Sequence, residues 1–228
     1  MSEPTNLAQV PNDAEPPRRP LRSRGNPIIT GLAARLARRG VRPNAISVVS
    51  MVFAGGAAAC LAVLPGGSVA ADTALLAGAI AGIQLRLLCN VLDGLVAIEG
   101  GLKSRTGVLF NEVPDRLADV VILVAAGYAI PAYSWAPELG WLCALLAVST
   151  AYIRHVGGAL GLPQWFMGPM AKQQRMALLT GGLAASIGET AWAGFEGRVL
   201  TATLVVVAVG TAYTFVRRLR RIAGEVPQ

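Results

Sequence analysis

Apolar runs recur along most of the chain, separated by short stretches rich in proline, glycine and charge. Six of them approach the roughly 20 residues that a helix needs to cross a bilayer: about 45–64, 73–98, 111–130, 139–156, 176–192 and 200–216. Pro65-Gly66-Gly67 marks a turn after the first run, and Pro131 closes the third. Upstream, Asn26-Pro27 opens a shorter segment in which Ile28, Ile29, Leu32 and Leu36 gather on one arc. Arg35, Arg38 and Arg39 lie at its edges and end, the pattern of a helix lying in the plane of a membrane interface. Pro43-Asn44 then breaks the chain before the first span. The pattern predicts an all-α integral membrane protein with about six transmembrane helices and an N-terminal interfacial amphipathic helix. Its divisions are a disordered cytosolic tail (1–24), the interfacial helix (25–42), a transmembrane domain (43–222) and a C-terminal tail (223–228).

Composition agrees. Apolar residues make up 54% of the chain and charged ones 14%, too few polar groups to cover a soluble domain of this size. The first 24 residues are rich in Pro, Arg, Asn and Glu and lack the apolar core of a signal peptide. Cys60, Cys89 and Cys143 all fall in apolar runs and read as small buried side chains.

A net charge of +7 by itself suggests nucleic acid, but its distribution points elsewhere. The basic residues cluster at Arg18–Arg42, Lys103–Arg105, Lys172–Arg175 and Arg217–Arg221, flanking apolar runs as cytosolic segments do beside anionic headgroups. Membrane lipids, and no nucleic acid, are the partners this implies. The loops near Asp72, Glu138 and Glu189–Glu196 carry almost no Lys or Arg. The asymmetry places both termini and the loops 99–107 and 157–172 in the cytosol, with the protein in the cell inner (cytoplasmic) membrane.

Ionisable groups inside apolar spans are costly and mark sites. On a helix, residues three and four apart share a face. Asn90, Asp93 and Ala97 form one such row with Arg86 a turn earlier, and Asn111, Asp115 and Asp119 form another. A short loop joins the two helices, so the rows are expected to be antiparallel neighbours opening to the cytosol. Two carboxylates and two carboxamide oxygens make an all-oxygen site suited to a hard divalent cation. Gly94 and Gly107 remove side chains where backbones approach each other or a ligand. Arg86, deep in its span, is expected to pair with Asp93 or Asp119. His155 reads as interfacial packing, and Gly78-x-x-x-Gly82 as close helix packing.

The string Asn90-x-x-Asp93-Gly94-x-x-Ala97-Ile98, eight residues, then Gly107-x-x-x-Asn111-x-x-x-Asp115 resembles the signature of the CDP-alcohol phosphotransferase family. That signature reads Asp-x-x-Asp-Gly-x-x-Ala-Arg, eight residues, Gly-x-x-x-Asp-x-x-x-Asp. Every spacing matches, while Asn90 and Asn111 replace two aspartates and Ile98 replaces the arginine. The resemblance implies a membrane transferase of phospholipid synthesis. It would move a phosphatidyl group from a CDP-lipid donor, CDP-diacylglycerol, to a small alcohol acceptor with release of CMP.

The resemblance also implies roles. Asp93 and Asp115 become metal ligands for one or two ions of Mg²⁺ or Mn²⁺, with Asn90 and Asn111 as neutral ligands and Asp115 also the general base. Gly94, Ala97 and Gly107 border the substrate, Arg154 meets the diphosphate, and Lys172 and Arg175 meet a polar or phosphorylated acceptor. A homodimer is implied as well. Each carboxylate replaced by Asn removes on the order of 4 kcal/mol per unit ionic charge at about 4 Å, with an effective dielectric near 20. Glu112, Glu99 and Asp119 are the nearby candidates for restoring that charge. The same departures admit a second reading, a relative that binds lipid or CDP-lipid without turnover. A channel or transporter rests on the intramembrane charges alone. Glycerol 3-phosphate and an inositol phosphate both remain open as acceptors.

Overall fold

The computed structural model describes residues 26–101 and 107–226. The expected tail at 1–24 and the middle of the 99–107 loop lie outside the described residues. Seven helices account for nearly all of the rest: α1 (Pro27–Arg38), α2 (Pro43–Ala62), α3 (Val69–Glu99), α4 (Gly107–Tyr128), α5 (Ala136–Ala159), α6 (Lys172–Ala193) and α7 (Arg198–Glu225).

Local chemistry explains several boundaries. Asn26 caps α1 by accepting from the Ile28 N–H at 2.9 Å, with Pro27 at the first helical position. Gly40, at φ +73°, takes the left-handed conformation that lets the chain turn into α2. Ser68 caps α3 by accepting from Ala71 N–H, while the Asp72 carboxylate takes the Gly66 N–H of the preceding turn. Pro114 sits inside α4, where it withholds one backbone donor just before Asp115.

By length and composition, α2, α3, α5 and α7 are long and apolar enough to cross a membrane. Helices α4 and α6 have 22 residues each, but α6 carries Lys172 and Arg175 in its first turn, and α4 carries Glu112, Asp115, Arg116 and Asp119 in its second to fourth turns. Six helices close a ring in the spatial order α3, α2, α4, α5, α7, α6, with α1 laid against α3. The core inside is built from Leu61, Ile83, Ile122, Leu179, Leu183 and Leu204. On α1, Ala33, Ile29 and Leu36 pack toward Leu92, Leu95 and Val96 of α3, while Ile28 and Leu32 stay exposed. The expected apolar arc of α1 is thus divided between the protein and its surroundings.

One expectation about packing holds and one is revised. Gly78 and Gly82 face α2 within the same chain: a Cβ added at Gly82 would lie 2.8 Å from the Ala57 Cβ and from the Phe53 carbonyl oxygen. And α3 and α4 are not closely packed neighbours; α2 lies against both. The space between their charged ends is spanned by side chains rather than closed by backbone contact.

Candidate active site

Those side chains form one connected cluster. Arg86 of α3 is fully buried, and its Nη2 donates to Asp119 Oδ1 at 2.6 Å and to the Asp115 carbonyl oxygen at 3.0 Å. It also lies 3.5 Å from Asp115 Oδ1. Arg175 of α6, equally buried, donates to the other Asp119 oxygen at 2.8 Å. Asp119 therefore sits between two guanidiniums drawn from two different helices. A buried ion needs such partners, since breaking a buried pair costs roughly 3–5 kcal/mol.

Asp115 is held differently. Asn90 Nδ2 donates to its Oδ1 at 2.6 Å, and the Lys172 ammonium pairs with its Oδ2. Asp93, one turn beyond Asn90, accepts from Ser47 Oγ of α2 at 2.7 Å through Oδ2. Its Oδ1 is buried and meets no hydrogen-bond donor. Three carboxylates thus face three cations, Arg86, Lys172 and Arg175, and a single carboxylate oxygen is left over.

The donor set suits one hard cation better than several. No group of three or more His, Cys, Asp or Glu side chains comes together as a metal site among the described residues. Carboxylate oxygens of Asp93 and Asp115, with carboxamide oxygens beside them, are ligands that Mg²⁺ or Mn²⁺ accepts. The orphaned Asp93 Oδ1 is the feature of this structure that calls for such a partner.

A second cluster surrounds Glu112. Its carboxylate accepts from Arg154 at 2.9 Å, pairs with Arg116 one turn on, and lies 3.2 Å from His155 Nε2. The Arg154 guanidinium also stacks over Phe166, 4.9 Å from the ring centre. Further back, Arg218 of α7 donates to the Met167 carbonyl at 2.9 Å and to the Thr150 carbonyl at 2.7 Å. Thr214 accepts from the Met170 N–H at 3.0 Å. These bonds fix the 167–170 segment that delivers Lys172 and Arg175 to the carboxylates.

The cluster brings together Asn90, Asp93, Asp115, Asp119, Lys172 and Arg175 from the sequence expectations. Asn111 is exposed on the second turn of α4, and Gly94, Ala97 and Gly107 are half-buried. Glu112 and Asp119, expected to restore charge at a metal, are each paired with protein cations. Arg154 is engaged by Glu112. Arg86 pairs with Asp119 and Asp115 rather than with Asp93. Sequence reasoning missed Ser47 and left Arg86 outside the site. The signal for Ser47 was present in Ser47 and Ser50, three residues apart at one end of an apolar span.

No family model matches the chain. It is 27% identical over 205 residues to the phosphatidylinositol phosphate synthase of Streptomyces avermitilis, covering 87% of this chain and 79% of that one. The homologues it resembles are members of the CDP-alcohol phosphotransferase family. Among solved structures it shares its fold with phosphatidylinositol phosphate synthase of Mycobacterium tuberculosis. With CDP-DAG bound, that enzyme gives a TM-score of 0.69 at 20% identity, over 86% of this chain and 94% of that one. In complex with manganese and citrate, it gives 0.67 at 19% identity, over 86% and 88%. The residues that resemble the CDP-alcohol phosphotransferase signature lie on α3 and α4, the two helices whose polar ends form the cluster.

Proposed function

We propose that this chain transfers a phosphatidyl group from CDP-diacylglycerol to a small alcohol and releases CMP, with a divalent cation required. The observation that carries the reading is a buried Asp93 with an unpaired carboxylate oxygen, one turn from the Asn90 that donates to Asp115, all at signature spacing. In this reading α4 and α6 cross the membrane with the other four, and the basic flanks of the spans favour the cytosolic face of an inner membrane for the cluster. Homodimerisation and the division of the chain into tail, interfacial helix and transmembrane domain belong to the same reading.

Mg²⁺ or Mn²⁺ held by Asp93 and Asp115, with Asn90 and Asn111 as neutral ligands, would neutralise the diphosphate of the donor. The chain's own groups do the rest. Asp115 takes the proton of the acceptor hydroxyl as its oxygen bonds to the phosphorus carrying diacylglycerol, and the bond from that phosphorus to the CMP oxygen breaks. Lys172, on a flexible stem, is the cation able to turn from Asp115 to a phosphate oxygen, which frees the carboxylate for the proton. Arg175 and Arg154 add fixed positive charge, and a cationic surround favours a phosphorylated acceptor such as an inositol phosphate. Gly94, Ala97 and Gly107 border the substrate.

One observation favours the alternative, binding of CDP-lipid without turnover: both Asp115 oxygens are held by protein donors. The deciding experiment is CMP release by purified protein with CDP-diacylglycerol, Mg²⁺ or Mn²⁺, and a panel of acceptor alcohols. Metal-dependent release that Asp115→Asn abolishes establishes the transferase and names its acceptor. Absence of release from protein that binds CDP-diacylglycerol establishes the binding reading.

A further inference from the structure

We propose that the site takes a single divalent cation, held on the Asp93–Asp115 side, because Arg86 serves as a permanent cation at Asp119. This rests on the metal-dependent reading above and specifies it.

Three observations meet here. Asp93 is almost wholly buried, 4% exposed, yet Oδ1 has no donor, so an inward-facing acceptor lacks its partner. Asp119 is saturated, one oxygen on Arg86 and the other on Arg175. Asp115 has Asn90 and Lys172 on its two oxygens, with Arg86 at 3.5 Å. Of the cations around these carboxylates, Lys172 can move, being on a flexible stem at the start of α6. Arg86 cannot: it is enclosed at 0% exposure and held by the Asp115 carbonyl as well as by Asp119.

Arg86 also keeps charge to spare. Its Nε and Nη1 meet no acceptor, and its fixed charge beside that of Arg175 repels a dication approaching Asp119. Asn90 fits the same scheme. Its N–H donates to Asp115 at a separation where a second carboxylate would need a proton or a metal between the two. The cluster is therefore electrically closed on the Asp119 side and open at Asp93.

The test is the number of Mn²⁺ ions bound per chain, read by electron paramagnetic resonance of free Mn²⁺ on the full-length protein in a detergent with neutral headgroups. Wild type should hold one tight ion, and Asp93→Asn should weaken it at least tenfold. Asn90→Asp with Asn111→Asp, Arg86 retained, should still hold one, bound more tightly. Adding Arg86→Gln to that pair should admit a second. Arg175 remains on Asp119 in that variant, and the wild-type count needs no variant at all.

Two ions or none in wild type overturn the proposal. So do two ions in the Asn90→Asp, Asn111→Asp chain, or one ion after Arg86→Gln is added. CMP release from the same preparations keeps the two readings apart. A chain that turns over with two ions ends the ion count alone, and one that binds a single ion without releasing CMP ends the transferase reading alone.

Discussion

Asn90 donates its carboxamide N–H to Asp115 across 2.6 Å, joining two helices that do not pack on each other. The contact gives the asparagine a physical role that an aspartate lacks: it can donate. Substituting Asn90→Asp sets two carboxylates at this separation, a repulsion on the order of 4 kcal/mol at an effective dielectric near 20. The variant should lose thermal stability without metal and gain more on adding Mn²⁺ than wild type gains. Thermal unfolding in detergent, with and without metal, checks this.

Asp119 lies between Arg86 and Arg175, and its loss leaves two buried guanidiniums sharing no anion. Asp119→Asn should destabilise the protein by roughly 3–5 kcal/mol, as expected when one member of a buried ion group is removed. The drop should show in the thermal midpoint and in the yield of monodisperse protein, whatever the substrate or metal supplied.

Ser47 supplies the hydrogen bond that Asp93 receives from α2. A bond to a charged group contributes about 1.5–3 kcal/mol, so Ser47→Ala should weaken Mn²⁺ binding by roughly 10- to 100-fold. The fold should persist, because Ser47 sits at the end of α2 and the core below is unaltered. Calorimetric Mn²⁺ titration reads the change; affinity equal to wild type would remove Ser47 from the site.

Gly82 marks the closest approach of α3 to α2. Gly82→Leu drives a side chain into the Phe53 carbonyl and should cost about 1–3 kcal/mol or more through backbone displacement. Gly55→Ala on α2 meets nothing within 4 Å and should be neutral or slightly stabilising, since alanine favours the helix. Paired melting curves of the two variants separate interhelical contact from helix propensity.

Releasing Arg154 from Glu112 tests the second cluster. Glu112→Gln removes the charge that holds Arg154, Arg116 and His155 together. If Arg154 meets donor phosphate, the variant should change KM for CDP-diacylglycerol by several-fold with little change in kcat. An unaltered KM would assign Arg154 to structure alone.

Much of this protein was legible before its structure. A helix satisfies its backbone hydrogen bonds internally, so apolar length, flanking proline and basic clusters suffice to mark where helices begin and end. The expected runs and the observed helices agree closely, as in 45–64 against Pro43–Ala62. The same holds for the polar rows: Asp93 follows Asn90 by one turn, and Asp119 follows Asp115 by one turn, whatever lies around them.

Pairing was not legible. Whether Arg86 meets Asp93 on its own helix or Asp119 on another depends on the order in which six helices close the ring, a property of contacts distant in sequence. Because α2 stands between α3 and α4, their ends face each other across a gap that only long side chains bridge. That gap lets a donor from Asn90 and cations from α3 and α6 reach the carboxylates of α4 while Asp93 Oδ1 stays unmatched. The linear chain determined which chemical groups sit at one end of the bundle. Tertiary packing decided which charges cancel, since buried charges are set by their nearest partners and those partners come from four different helices.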